Sequence, residues 1–421
     1  MSVSRSDPAS SRPGVSTPVA RARTVTALVF AAQGAAVASV STTIPAVKER
    51  FGLPPLVATA VMLAVALAAG AGSFLGLAAI RRLGPVAAMR GCVVSVATAL
   101  LGIAWAPDSA LLVVSYALFG LGIGGIDVCA NTRAAVVERH YGHSIFASFY
   151  AVWSCAGAAI ALVTAATSRL GWPVSDTLTV QAMLVLALVP AIRAHRLPAM
   201  TVDRKVHELA DASLGTGIWA KLVPFGIVLL VAYVIDSSVS TWSTAYLHQT
   251  LAASLAVAPL AYAAYQVGTV IGRSSADRLI RRIGPVAVVR WAAAVTAVAL
   301  TALAGAPTWL IAIAAAGVTG LGVSAFAPLC LASAGRLQPA AAEVILARMN
   351  LFNYFGVITG GALSGVLGSA GHFRLAYMAP VLPVLLLMAA ARSFTPVRPV
   401  NDPGPEPSHP PRLPAAAPGS L

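Results

Sequence analysis

The 421-residue chain is 58% hydrophobic and only 10% charged, with a formal net charge of +14 and a mean hydropathy of +0.82. A water-facing surface needs roughly 25% charged residues, so a soluble enzyme or binding module of this length is excluded. The excess of Lys and Arg has a cause other than nucleic acid, because membrane proteins concentrate these residues in cytoplasmic loops.

Residues 1–23 are rich in Ser, Pro and Arg with no apolar core, and are expected to form a disordered cytoplasmic tail rather than a signal peptide. Apolar segments then follow at 24–46, 55–79, 86–106, 109–132, 144–168, 173–193, 219–246, 253–276, 285–305, 308–332, 343–368 and 373–393. About 20 apolar residues cross a ~30 Å hydrocarbon core as a helix. No alternating polarity marks spanning strands, and lipid admits only helices or closed barrels. The expected fold is therefore all-α: a polytopic membrane protein of twelve transmembrane helices in two pseudo-symmetric six-helix bundles. The bundles are placed at 24–193 and 219–393, joined by a basic cytoplasmic linker at 194–218 and followed by a Pro-rich cytoplasmic tail at 394–421. With both termini inside the cell membrane, only Lys48, Arg50, Arg169 and Arg374 of the 28 Lys and Arg fall outside, which supports both the count and the orientation. Cys92, Cys129, Cys155 and Cys330 lie in apolar stretches without metal-ligand spacing, so no disulfide framework, metal or cofactor is expected.

The chain repeats itself at an offset of 200 residues. Ile80-Arg-Arg-Leu-Gly-Pro-Val-Ala-Ala-Met-Arg90 and Ile280-Arg-Arg-Ile-Gly-Pro-Val-Ala-Val-Val-Arg290 agree at eight of eleven positions. Gly72 and Gly272, Pro107 and Pro307, and Gly120-Leu-Gly122 and Gly320-Leu-Gly322 keep the same register. Shared Ala/Val composition does not place Arg-Arg, Gly-Pro and Arg in one register. Transporters built from repeats bind substrate near the midplane between halves that rock against each other.

Gly272-Arg-Ser-Ser-Ala-Asp277-Arg278-Leu-Ile-Arg281-Arg282-Ile-Gly284 resembles the second–third loop motif of the major facilitator superfamily. Arg81, Arg82 and Gly84 stand at the matching place in the first half, where Leu77 replaces the acid. Gln33-Gly34 with Ile44-Pro45, Gly124-Gly-Ile-Asp127 with Asn131 and Glu138, Ser148-Phe-Tyr150 with Trp153, and Asp236 with Trp242 are similar to a poorly characterised, fucose-permease-like branch. The resemblance implies a secondary transporter working by alternating access on a small solute, with no enzymatic activity. The coupling ion it suggests is a proton. It also suggests a monomer in the lipid bilayer with no nucleic-acid partner.

Charge within a membrane helix marks function by default. Asp236 lies about 22 Å along its helix from Lys221. Two readings stand: it binds a proton or a cationic group, or it faces a water-filled vestibule. Asp127 is expected near the cytoplasmic surface, in an ion pair with Arg81 and Arg82 that latches the loop, with Asn131 one turn on; substrate contact is the other reading. Asp277 with Arg278, Arg281 and Arg282 repeats that latch in the second half, and Glu138, Gly272 and the turn glycines belong to the same gating set. Gln33, Gln266, Asn350 and Asn353, with Tyr265, Tyr354 and Trp242, are expected to converge on a midplane cavity. The simpler alternative for each is a helix–helix hydrogen bond. No arginine is expected at the midplane, so a strongly anionic substrate is disfavoured. An exporter of drugs or secondary metabolites is a second function, though Gly157 is followed by Ala158 where many drug antiporters have Gly-Pro. A carrier-derived membrane sensor is a third.

Overall fold

The computed structural model describes residues 17–141, 145–193, 217–337 and 342–391. In chain order the helices are α1 (Thr17–Phe51), α2 (Pro55–Leu83), α3 (Pro85–Trp105), α4 (Ser109–Tyr141), α5 (Phe146–Arg169) and α6 (Val174–Leu186), the last continued by a 3-10 turn. The second half holds α7 (Gly217–Thr250), α8 (Pro259–Ile283), α9 (Pro285–Ala304), α10 (Trp309–Val323), α11 (Phe326–Gly335), α12 (Ala342–Ser369), α13 (Phe373–Met378) and α14 (Val381–Ala390). No strand occurs among the described residues.

Ten of these segments are long and apolar enough to cross a membrane, α10 and α11 forming one of them. The other two crossings depart from the pattern for visible reasons. In α8, Tyr262, Tyr265, Gln266 and Arg273 dilute the apolar run, and the last crossing is interrupted at Ala379–Pro380 between α13 and α14. Large apolar side chains such as Leu67, Phe74, Val298, Leu310 and Leu386 point outward, as lipid rather than water requires. α1 buries 78% of its most apolar window and α2 only 11%, so α1 is central and α2 peripheral.

Several helices overrun the hydrocarbon core. α4 has 33 residues, or about 50 Å of length. α1 begins at Thr17, so residues 17–23 are helix, contrary to the disordered tail expected there; Val19 and Ala22 are buried against the bundle. The remaining tail residues and the linker at 194–216 lie outside the described residues. The eighth crossing starts at Pro259 rather than 253, because residues 251–254 are irregular and 255–258 form a turn.

The sequence repeat is a repeat of local geometry. Gly84 (φ 81°, ψ 161°) and Gly284 (φ 80°, ψ 160°) each end one helix and begin the next. Their N–H groups donate to Ile80 O and Ile280 O. A positive φ suits glycine, and a proline at the next position starts a helix without wasting a donor. At the opposite end, Gly171 (φ 74°) and Gly371 (φ 80°) close α5 and α12. The following N–H groups reach back to Thr167 O and Leu367 O, the six-to-one bond of a Schellman ending.

Packing repeats as well. A Cβ on Gly72 would lie 2.1 Å from Leu121 O, and one on Gly272 would lie 2.4 Å from Leu321 O. α2 therefore meets α4 as α8 meets α10, backbone to backbone. α1 packs on α5 as α7 packs on α12, and α3 packs on α6 as α9 packs on α14. Between the halves, α5 packs on α8 and α2 on α12, two contacts that the repeat exchanges, while α1 meets α7. The core is correspondingly double, one apolar cluster per half.

Candidate functional site

Close helix approach in the first half draws polar groups together. A Cβ on Gly34 would lie 2.1 Å from Trp153 O, so α1 and α5 touch by backbone. That contact stacks Phe30 on Phe149 and sets Phe30 edge-on to Tyr150. From the same stretch of α1, Gln33 Nε2 donates to Asp127 Oδ1 on α4 at 3.1 Å. Asn131, one turn further, also bonds Asp127, and its Oδ1 accepts from the Tyr150 hydroxyl at 3.4 Å.

The second half builds its counterpart on α7 and α8. Asp236, near the middle of α7, accepts from the Tyr265 hydroxyl at 2.6 Å. Ser237 and Ser238 donate to Val357 O and Gly360 O of α12, where Gly360 would place a Cβ 2.2 Å from Val234 O. Gln266 Nε2 donates to the Tyr262 hydroxyl at 2.8 Å. A Cβ on Gly157 of α5 would sit against that hydroxyl and amide.

Arg273 ties the halves together. Its Nη1 donates to Ser154 Oγ at 3.0 Å and to Tyr150 O at 3.3 Å, both on α5, and its guanidinium lies 5.7 Å from the centre of the Tyr150 ring. Thr269, one turn away, donates to Ser154 at 3.1 Å. Arg273 also lies within electrostatic reach of Asp236, Tyr233 and Tyr265 in its own half. One guanidinium thus answers to a carboxylate in one half and to a ring, a hydroxyl and a carbonyl in the other. Stacking, forked donation and permanent charge are properties of arginine rather than lysine.

Several sequence expectations change. Asp127 forms no ion pair with Arg81 or Arg82, which are exposed; it sits near the middle of α4 with Gln33 and Asn131, and no cation acts on it among the described residues. The expectation failed because α4 runs nine residues past the predicted 132. Arg273 overturns the expected absence of a midplane arginine. It stands 14 residues into α8 and 10 before its end, whereas the expected span of 253–276 had put it beside the inner end. Trp242 is turned from the centre: its indole donates to Gly361 O, and it lines a recess with Ile44, Lys48, Thr59 and Phe373. Gln266 is buried in the α5–α8 contact rather than lining a cavity.

Other predicted residues fall in plainer places. Asn353 is half-buried and Tyr354 faces Ser73 of α2, while the side chains of Asn350 and Asp277 lie outside the described residues. Glu138 Oε2 accepts the N–H groups of Ile145 and Phe146, both at 2.8 Å, and so caps the start of α5, where anionic charge is favoured. Arg278, Arg281 and Arg282 are exposed at the end of α8, where cations suit the helix dipole. Gly272, Gly84 and Gly284 serve packing and turns. Sequence reasoning missed Arg273, Ser154 and Tyr233; spacing from Pro259, at 1.5 Å per residue, would have put Arg273 about 21 Å deep. Among the described residues no three His, Cys, Asp or Glu side chains converge as a metal site would require.

A sequence profile of the Major Facilitator Superfamily matches residues 4–162 and 225–419. An uncharacterised MFS-type transporter of Yersinia pestis is 25% identical over 396 residues, covering 91% of this chain and 97% of that one. Among solved structures, a mutant of the nucleoside transporter NupG is similar with a TM-score of 0.70 at 14% identity, covering 89% of this chain and 99% of that one. The D-xylose-proton symporter is similar with a TM-score of 0.66 at 15% identity, covering 90% and 98%.

Proposed function

The chain belongs to the Major Facilitator Superfamily, and from that premise we propose that it is a proton-coupled carrier of a small polar solute, with Asp127, Asp236 and Arg273 as its working charges. It is a multi-pass membrane transporter. The finer reading rests on one observation: two mid-helix carboxylates, one per half, are held in unlike ways, Asp127 by amides and Asp236 within reach of Arg273, a cation that crosses between the halves.

Among the described residues, Asp127 has only amide partners. A carboxylate held inside a membrane protein needs its charge balanced, so Asp127 is the group that takes a proton or a cationic part of the solute. Asp236 is balanced by Arg273 within its own half. When the halves rock, Arg273 must leave Ser154 and the Tyr150 carbonyl, and Asp236 is the anion at hand to hold it. Arg273 is already engaged, and each half adds a mid-helix carboxylate, so the site favours neutral or cationic solutes over anions. The basic ends of α2 and α8, carrying Arg81, Arg82, Arg281 and Arg282, lie at the cytoplasmic face in this reading, and the ends of α1 and α7 near Glu49 and His248 lie outside.

Proteoliposomes screened with solutes while an internal pH dye is read test the proposal. A transported solute acidifies or alkalinises the lumen in the coupled case. Saturable solute flux with no proton movement, and no response to an imposed gradient, contradicts it.

A further inference from the structure

At the end of the molecule away from the basic loops, α1 and α7 meet through one side-chain pair. His248 Nε2 lies 2.5 Å from Glu49 Oε1. The other ring nitrogen, Nδ1, lies 2.7 Å from Ala253 O. A carbonyl oxygen only accepts, so Nδ1 carries a hydrogen. An ionised carboxylate likewise only accepts, so the contact with Glu49 needs one proton more, on Nε2 or on the carboxyl. Joined, the pair holds one proton beyond what a neutral imidazole and a carboxylate hold apart.

The backbone is arranged to fix this geometry. Ala252 has φ 52°, the one positive value at a non-glycine residue among those described. Left-handed backbone at a residue with a Cβ is a strained conformation that tends to mark functional sites. It turns the chain so that Ala253 N–H donates to Leu247 O while its carbonyl meets His248. The imidazole is thereby held with Nε2 toward the other half. Beside it, Thr59 Oγ1 of α2 donates to Gly365 O of α12 at 2.9 Å, so the same end is closed at a second point.

We propose that His248 and Glu49 form a proton-binding latch on the outer mouth, which takes up one proton from the outer solution when the mouth closes and returns it there on opening. Because it loads and unloads on one side, the latch regulates the cycle and adds nothing to the coupling stoichiometry. The inference rests on the alternating-access reading above. Neighbouring charges are few. Lys48 acts on Glu49; Arg50 is turned to the carbonyls of Ala104 and Ala106; Arg374 of α13 donates to Ala306 O; and His372 is exposed before α13. α2 and α8 bring no charged residue to this end.

Spin labels on Leu56→Cys and Ser254→Cys, one per half at this end, read the opening in nanodiscs once the four native cysteines are replaced. Closing takes up one proton, so the closed population falls as pH is raised from about 5.5 to about 8.5, by up to about tenfold per unit. Glu49→Gln is the decisive variant: its amide can donate to a neutral Nε2, which keeps the contact and removes the pH dependence. A wild-type distance distribution indifferent to pH overturns the latch, as does Glu49→Gln retaining the wild-type dependence. A fixed distance in protein that still transports solute overturns the latch alone; a fixed distance in protein that transports nothing overturns the carrier reading with it.

Discussion

Arg273 donates across the interface to Ser154 and the Tyr150 carbonyl and lies within electrostatic reach of Asp236. Removing it strands a carboxylate and loosens α5 from α8 together. We therefore expect Arg273→Ala to lower transport at least about tenfold, the equivalent of one charge-assisted hydrogen bond of about 1.5–3 kcal/mol. Arg273→Lys keeps the charge and loses the fork, so it should restore part of the rate; full restoration would mean that only the charge matters. The two carboxylates should separate in the same assay. Asp236→Asn leaves Arg273 without its anion in the moving half and should slow exchange as well as accumulation, whereas Asp127→Asn should spare exchange. Asp127 and Asp236 were readable from the sequence as residues to weigh for function, since charge inside a membrane helix is costly, whereas Arg273 was not singled out. Depth was not readable: Asp127 and Arg273 were each displaced by an error in where α4 or α8 ends, and hydropathy does not record how far a helix continues into water.

At the scale of elements, glycine positions carry the packing. Gly70 and Gly72 lie on one helix, but a Cβ on Gly70 meets nothing within 4 Å while one on Gly72 meets Leu121 O at 2.1 Å. Gly72→Ala should therefore cost about 1–3 kcal/mol through overpacking and lower the melting temperature in detergent. Gly70→Ala should be neutral or slightly stabilising, by up to about 1 kcal/mol of helix propensity. Gly272→Ala should behave as Gly72→Ala does if the repeat governs packing, and a harmless Gly272→Ala would deny that. Glu138, read from sequence as part of a gate, caps α5 across the α4–α5 connection. Its replacement by Ala should cost about 1 kcal/mol, as lost caps do, with little direct effect on solute affinity. The turn glycines and the Gly-Pro helix starts were legible because φ and capping are local. Cross-helix partners such as Glu138 with the start of α5 were not, because they depend on tertiary placement.

For the whole molecule, the duplicated halves were visible in the 200-residue register, and the pairings α2–α4 with α8–α10 and α5–α8 with α12–α2 realise it in space. The loop arginines follow the repeat but the mid-helix carboxylates do not: Ala327 stands where the second half would match Asp127, and Ala36 where the first would match Asp236. Symmetric scaffolds with asymmetric charges suit a carrier whose halves move as units while one half binds the proton and the other holds the cation. Active accumulation and counterflow, measured side by side in proteoliposomes of wild-type protein and Asp127→Asn, test that division most directly. The variant is expected to lose solute accumulation driven by a proton gradient and to keep counterflow near the wild-type rate. Gradient-driven accumulation that survives in Asp127→Asn would contradict it.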